Sequence, residues 1–123
     1  MASDRKKRIL VVEDDNLFLW TLNCFLQKEG YDVFPVGNGE SAIDVAQKQS
    51  FDIVISDFHL PGLNGTDLLR KLRACQPEAK TILISAYQPE EIENEDPELL
   101  NAYLNKPIEL QSLKTLLHDL SNP

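Results

Sequence analysis

Residues Ile9 to Val12 are apolar at every consecutive position and rich in β-branched side chains. A strand of that kind must bury both faces, which is the situation of a central strand in a parallel sheet. Phe51 to Ser56 repeats the feature, with Asp52 as its one charge. Parallel neighbours need long crossovers, and the intervening sequence supplies them as helices. Asn16 to Glu29 carries Phe18, Leu22, Phe25 and Leu26 at helical spacing, and Gly30 suits the left-handed cap that ends it. Tyr31 to Val36 reads as a second strand, and the turn Gly37-Asn-Gly39 leads to a helix over Ser41 to Gln49 bearing Ala42, Ile43, Val45 and Ala46.

The remainder keeps the same rhythm. Pro61 to Gly65 reads as a loop, Leu68, Leu69 and Leu72 mark a helix that stops before Pro77, and Thr81 to Ile84 is a fourth strand. Ala102 to Leu104 is a short fifth strand, and Leu110, Leu113, Leu116, Leu117 and Leu120 stripe a terminal helix. Strand and helix alternate throughout, so the expected fold is a flavodoxin-like (βα)5 three-layer sandwich with parallel sheet order 2-1-3-4-5. The interval 89–98 breaks the rhythm. It is strongly acidic, has Ile92 as its one large apolar residue, and contains Pro89 and Pro97. A continuous helix would carry Pro97 inside it at a cost of about 3 kcal/mol, so the fourth helix is expected to be short or broken.

A chain of 123 residues fits one domain, with 1–7 as an N-terminal extension and 121–123 as a tail. A net charge of −8 disfavours nucleic acid as a direct partner. The basic cluster Arg5-Lys-Lys-Arg8 precedes the first strand and is expected to be a solvated terminus. Cys24 and Cys75 fall inside helical patterns without metal or redox spacing. No apolar stretch approaches membrane-spanning length and no signal peptide is recognisable, so the expected location is cytoplasmic, with no membrane contact.

The chemistry lies where the apolar runs stop. The first strand ends in Glu13-Asp14-Asp15, the third in Asp57, the fourth in Ser85, and the fifth is followed by Lys106-Pro107. In an open α/β sheet a site forms outside the carboxyl ends of the strands, where the strand order reverses. With order 2-1-3-4-5 that point lies between Glu13-Asp14 and Asp57. Converging carboxylates repel one another unless a hard divalent cation joins them, Mg²⁺ or Mn²⁺ in its place. An ammonium from Lys106 and a hydroxyl from Ser85 complete a set suited to a phosphoryl group, with Asp57 as nucleophile.

These segments resemble the receiver domain of two-component response regulators over nearly the whole chain. Ile9-Leu-Val-Val-Glu-Asp-Asp15 is similar to its first strand and acidic pocket, and Asp57-Phe-His-Leu-Pro-Gly-Leu-Asn-Gly65 to its phosphoacceptor and following loop. Ser85-Ala86 matches its switch hydroxyl, and Tyr103-Leu-Asn-Lys-Pro107 its switch aromatic and lysine, where a cis Lys-Pro bond is usual. The resemblance implies that Asp57 accepts a phosphoryl group from a phosphohistidine on a sensor histidine kinase or histidine phosphotransfer protein. It implies Asp14 as a direct metal ligand, Glu13 as a water-mediated one, and the backbone carbonyl of His59 completing the shell. Asp15 is then loop or helix N-cap. Ser85 would move towards the phosphoryl group, and Tyr103 would turn inward behind it. No motif specifies the output domain or protein.

Two other classes of protein fit the same residues less well. A pseudo-receiver would use the fold as a phosphorylation-independent binding module, which the complete acid, hydroxyl and lysine set argues against. A phosphatase of the haloacid-dehalogenase type wants an acid two residues after its nucleophile, where this chain has His59. The reading is therefore a signalling module that catalyses its own phosphorylation and dephosphorylation, not an enzyme turning over an external substrate. The first helix also carries Leu17, Leu19 and Trp20 beyond its core stripe, and the resemblance implies Leu17 and Trp20 as a docking surface for the phosphodonor.

Overall fold

The computed structural model describes residues 6–60, 63–86 and 101–121. The expected broken helix at 89–98 lies outside these residues. The elements are β1 (Arg8–Val12), α1 (Asn16–Lys28), β2 (Asp32–Val36), α2 (Gly39–Lys48), β3 (Ile53–Asp57), β4 (His59–Leu60), β5 (Leu63–Asn64), α3 (Gly65–Cys75), β6 (Lys80–Ser85), β7 (Ala102–Asn105) and α4 (Leu110–Ser121). The main sheet has five strands in the order β2-β1-β3-β6-β7, all pairs parallel. Counting only its own strands, this is the expected 2-1-3-4-5.

Side chains alternate across a strand, and the two-sided apolar runs accordingly divide between two cores. Ile9, Val11, Ile53, Ile55, Ile82 and Ile84 pack under Leu22 and Leu26 of α1 and Leu113 and Leu117 of α4. Leu10, Val12 and Val54 pack on the opposite face against Ala42 and Ala46 of α2 and Leu68 and Leu72 of α3. The result is a helix–sheet–helix sandwich whose strands all present their carboxyl ends at one edge.

Local devices set the element ends. Asp15 caps α1, its side chain accepting from the backbone N–H groups of Leu17 and Phe18. Gly30, with φ of 95°, reverses the chain so that the Tyr31 N–H reaches the Leu26 carbonyl. Asn38 caps α2, starting that helix at Gly39, two residues earlier than the periodicity suggests. β3 starts at Ile53 instead of Phe51 because the Phe51 N–H is taken by the side chain of Gln76, a buried amide that also donates to the carbonyls of Ala46 and Gln49. Within the expected loop Pro61–Gly65, Leu63–Asn64 form β5, which pairs antiparallel with β4, and Gly65 is the first residue of α3.

The basic terminus also departs from expectation at its last residue. Arg8 is the first residue of β1, and its guanidinium lies 4.7 Å from the Phe34 ring centroid and 5.4 Å from that of Phe51. It bonds Gln49 and pairs with Asp32 at 3.8 Å. Lys6 and Lys7 are exposed, as expected of a solvated lead-in. At the other sheet edge the Asn101 side chain accepts the Thr81 N–H at 2.8 Å, beginning the pairing that β7 continues.

Candidate functional site

Parallel register aligns the strand ends. Val12 is opposite Ser56, so Glu13 comes level with Asp57. Asp57 is opposite Ile84 and Ile84 is opposite Leu104, so Ser85 lies one residue and Lys106 two residues beyond the level of Asp57. The Lys106 N–H donates to the Ser85 carbonyl at 2.8 Å, and the Phe58 N–H to the Ile84 carbonyl at 2.8 Å. These bonds carry the ladder past the last strand residues and fix where the functional side chains begin.

The Lys106 side chain reaches back across the end of β6. Its Nζ donates to Asp57 Oδ2 at 2.7 Å and to Glu13 Oε1 at 2.9 Å. Both carboxylates are deeply buried, with Glu13 2% and Asp57 6% exposed. Glu13 Oε2 is bound in turn by the Asp15 N–H at 2.9 Å. Burial pushes the Glu13 carboxyl above its ordinary range, against the Asp15 N–H and Lys106, which favour its charged form. Burial also works against the charge of Lys106, but its bonds to Asp57 and Glu13 outweigh that, and the ammonium is held more firmly protonated than usual.

Glu13, Asp14 and Asp57 each offer a carboxylate oxygen, all within 4.8 Å of one another, with Asp14 on the exposed side. Three hard oxygen donors facing one ammonium leave excess negative charge, and such a set fits a hard divalent cation. Ser85 is fully buried. Tyr103 is half-buried and packs against Phe58, Leu69 and Leu83, on the α3 side of the sheet. His59 opens β4 directly after Phe58. The Lys106-Pro107 bond is cis. The fold thus brings Glu13, Asp14, Asp57, Ser85 and Lys106 to one end of the sheet.

Leu17 and Trp20 stand apart from this cluster on the outer face of α1, 72% and 63% exposed. Between α1 and the start of α4 runs a cleft of about 590 Å³, lined by Asp15, Phe18, Thr21, Ala86, Lys106 and Pro107 among others. The Phe18 ring lies 5.0 Å from Lys106 Nζ, a contact that helical periodicity, which assigns Phe18 to the core, does not reveal. Cys24 and Cys75 are free thiols. Among the described residues, no helix is long and apolar enough to cross a membrane.

Comparison with known proteins agrees with this geometry. Residues 9–118 match the response regulator receiver domain family. The sensory/regulatory protein RpfC of Xanthomonas campestris pv. campestris is 32% identical over 98% of this chain, which spans only 17% of that relative's length. Sporulation initiation phosphotransferase F of Bacillus subtilis is 28% identical over 88% of both chains. The response regulator protein TrrA of Thermotoga maritima, solved in complex with Mg²⁺ and BeF, superimposes with a TM-score of 0.83 at 32% identity, covering 93% of this chain and 98% of that one. On these matches, the chain belongs to the response regulator receiver domain family, the signalling modules of two-component systems.

Proposed function

We propose that Asp57 is the phosphoacceptor of this receiver and that its donor is a phosphohistidine on a sensor histidine kinase or a histidine phosphotransfer protein. The observation that carries the reading is the Lys106 ammonium bridging Asp57 Oδ2 and Glu13 Oε1 at the switch point of the sheet. An Asp57 carboxylate oxygen attacks phosphorus, the P–N bond to the donor imidazole breaks, and its electron pair stays on the ring nitrogen, which then takes a proton. Lys106 already lies within bonding distance of the attacking carboxylate, where its charge offsets that gathering on the phosphoryl oxygens. Glu13, Asp14, Asp57 and the backbone carbonyl of His59 are the groups that would hold Mg²⁺ or Mn²⁺. That cation, when bound, supplies Lewis-acid neutralisation of phosphoryl charge. In this reading Ser85 donates its hydroxyl to the new phosphoryl group, and Tyr103, at the margin of its small apolar cluster, turns inward to report the change. In dephosphorylation water attacks the phosphorus of the acyl phosphate, the P–O bond to Asp57 breaks with its electron pair returning to the carboxylate, and phosphate leaves carrying the water's oxygen, with the same charged groups around it. We assign the exchange to the cytoplasm, where free Cys24 and Cys75 persist as thiols.

The cation can be tested without any phosphodonor. With Mg²⁺ at tenfold excess over its dissociation constant, linkage gives about 1.4 kcal/mol of added stability. For a domain of this size that is a rise in Tm of roughly 5 °C. Asp14→Ala should abolish the rise while leaving the metal-free protein folded. An unchanged rise in that variant would remove Asp14 from the shell.

Leu17 and Trp20 give the donor an apolar surface beside the cleft. Trp20→Ala should slow phosphotransfer from a histidine donor about tenfold, a typical loss for an aromatic anchor. Labelling by acetyl phosphate, which needs no docking, should be unaffected. Equal loss with both donors would refute the docking role.

A further inference from the structure

The contacts around Lys106 close into a ring. Glu13 Oε1 accepts from Lys106 Nζ, and Glu13 Oε2 accepts from the Asp15 N–H. Asp15 Oδ1 accepts from the Phe18 N–H at 3.2 Å, and the Phe18 ring returns to Lys106 Nζ at 5.0 Å. One capping aspartate therefore sets the first turn of α1 so that an aromatic face meets the ammonium opposite its carboxylate partners. Phe18 is half-buried, packed on the α1–α4 core on one side and lining the cleft beside Lys106 on the other. A cation within about 6 Å of a ring centroid is attracted by the ring quadrupole, and more strongly when partly desolvated. The lysine stem is long and flexible, and Lys106 itself lines the open cleft.

Resting on the reading of Asp57 as phosphoacceptor, we propose that Phe18 is a positioning residue for phosphoryl transfer: its ring holds the Lys106 ammonium aimed at Asp57. When Asp57 takes up the phosphoryl group it gives up its direct bond to Lys106, and the ring, with Glu13, is a partner that the reaction does not alter. Phe18 touches no reacting atom and acts through Lys106 alone.

The experiment measures the rate of Asp57 phosphorylation by acetyl phosphate with saturating Mg²⁺, with Tm recorded for every variant. Phe18→Leu keeps an apolar side chain of similar bulk without a quadrupole and should slow the reaction roughly fivefold. Phe18→Tyr and Phe18→Trp, which keep the quadrupole, should stay within about twofold of the parent. Phenylalanines of increasing ring fluorination at position 18 retain the shape while draining the ring's negative face, so the rate should fall in step with fluorination at unchanged Tm. A Phe18→Leu variant as fast as the parent overturns the proposal, and so does a flat fluorination series, which would reduce Phe18 to packing. If the parent protein is not labelled at Asp57 at all, the phosphoacceptor reading itself fails and this proposal falls with it.

Discussion

Asp57→Asn should lose phosphorylation from both a phosphohistidine donor and acetyl phosphate by on the order of a thousandfold or more, as expected when the attacking atom is removed. The variant should nevertheless be as well folded as the parent. Asp57 is one of three carboxylates with oxygens within 4.8 Å of one another, and Lys106 keeps Glu13 when Asp57 is neutralised. Relief of repulsion opposes the lost ion pair, so stability should change by no more than about 1 kcal/mol, in either direction. Beryllofluoride binding in the presence of Mg²⁺ should vanish together with labelling. Retained beryllofluoride binding in Asp57→Asn would instead support a phosphorylation-independent module.

Lys106→Met separates the structural from the chemical role of the same charge. Without metal, the change leaves Glu13 and Asp57 buried side by side with no cation. Removing one partner of a buried pair costs about 3–5 kcal/mol, but the Lys106 side chain is 26% exposed and Asp14 is open to water. A loss of about 2 kcal/mol is therefore expected, measured by urea unfolding in the presence of a chelator. Mg²⁺ should restore more stability to this variant than to the parent, because in the parent the cation competes with Lys106 for the same oxygens. The labelling rate at saturating Mg²⁺ should fall about a hundredfold, the usual effect of deleting one preorganised donor to developing charge. A variant as stable as the parent in chelator would contradict the bridging role of Lys106.

The sheet was legible because β1 and β3 are buried on both faces and read as continuous apolar runs. The acids at their ends were legible because such residues are costly beside a core. What escaped were contacts made across the chain. Phe18 falls on the helical stripe of Leu22, Phe25 and Leu26, and nothing in that spacing says that Lys106, far along the chain, ends beneath its ring. The bond of Lys106 to Glu13, as well as to Asp57, depends on how far the side chain crosses β6. Arg8 reads as the end of a charged tail, yet its guanidinium lies against the rings of Phe34 in β2 and Phe51 just before β3. The β4–β5 pair is only two residues per strand, too short for any periodicity. Trp20 is a case where pattern alone could not decide between core and surface, and the orientation of α1 turns it outward.

The phosphoryl group's destination decides the role of Asp57 most directly. The protein should be labelled with a radioactive phosphohistidine donor and Mg²⁺, reduced with borohydride, and mapped by peptide mass spectrometry. Borohydride converts an acyl phosphate of aspartate to homoserine, so homoserine at position 57, and at no other carboxylate, is the expected result. Absence of label, label that withstands mild base, or homoserine at Glu13, Asp14 or Asp15 in place of Asp57 would contradict it.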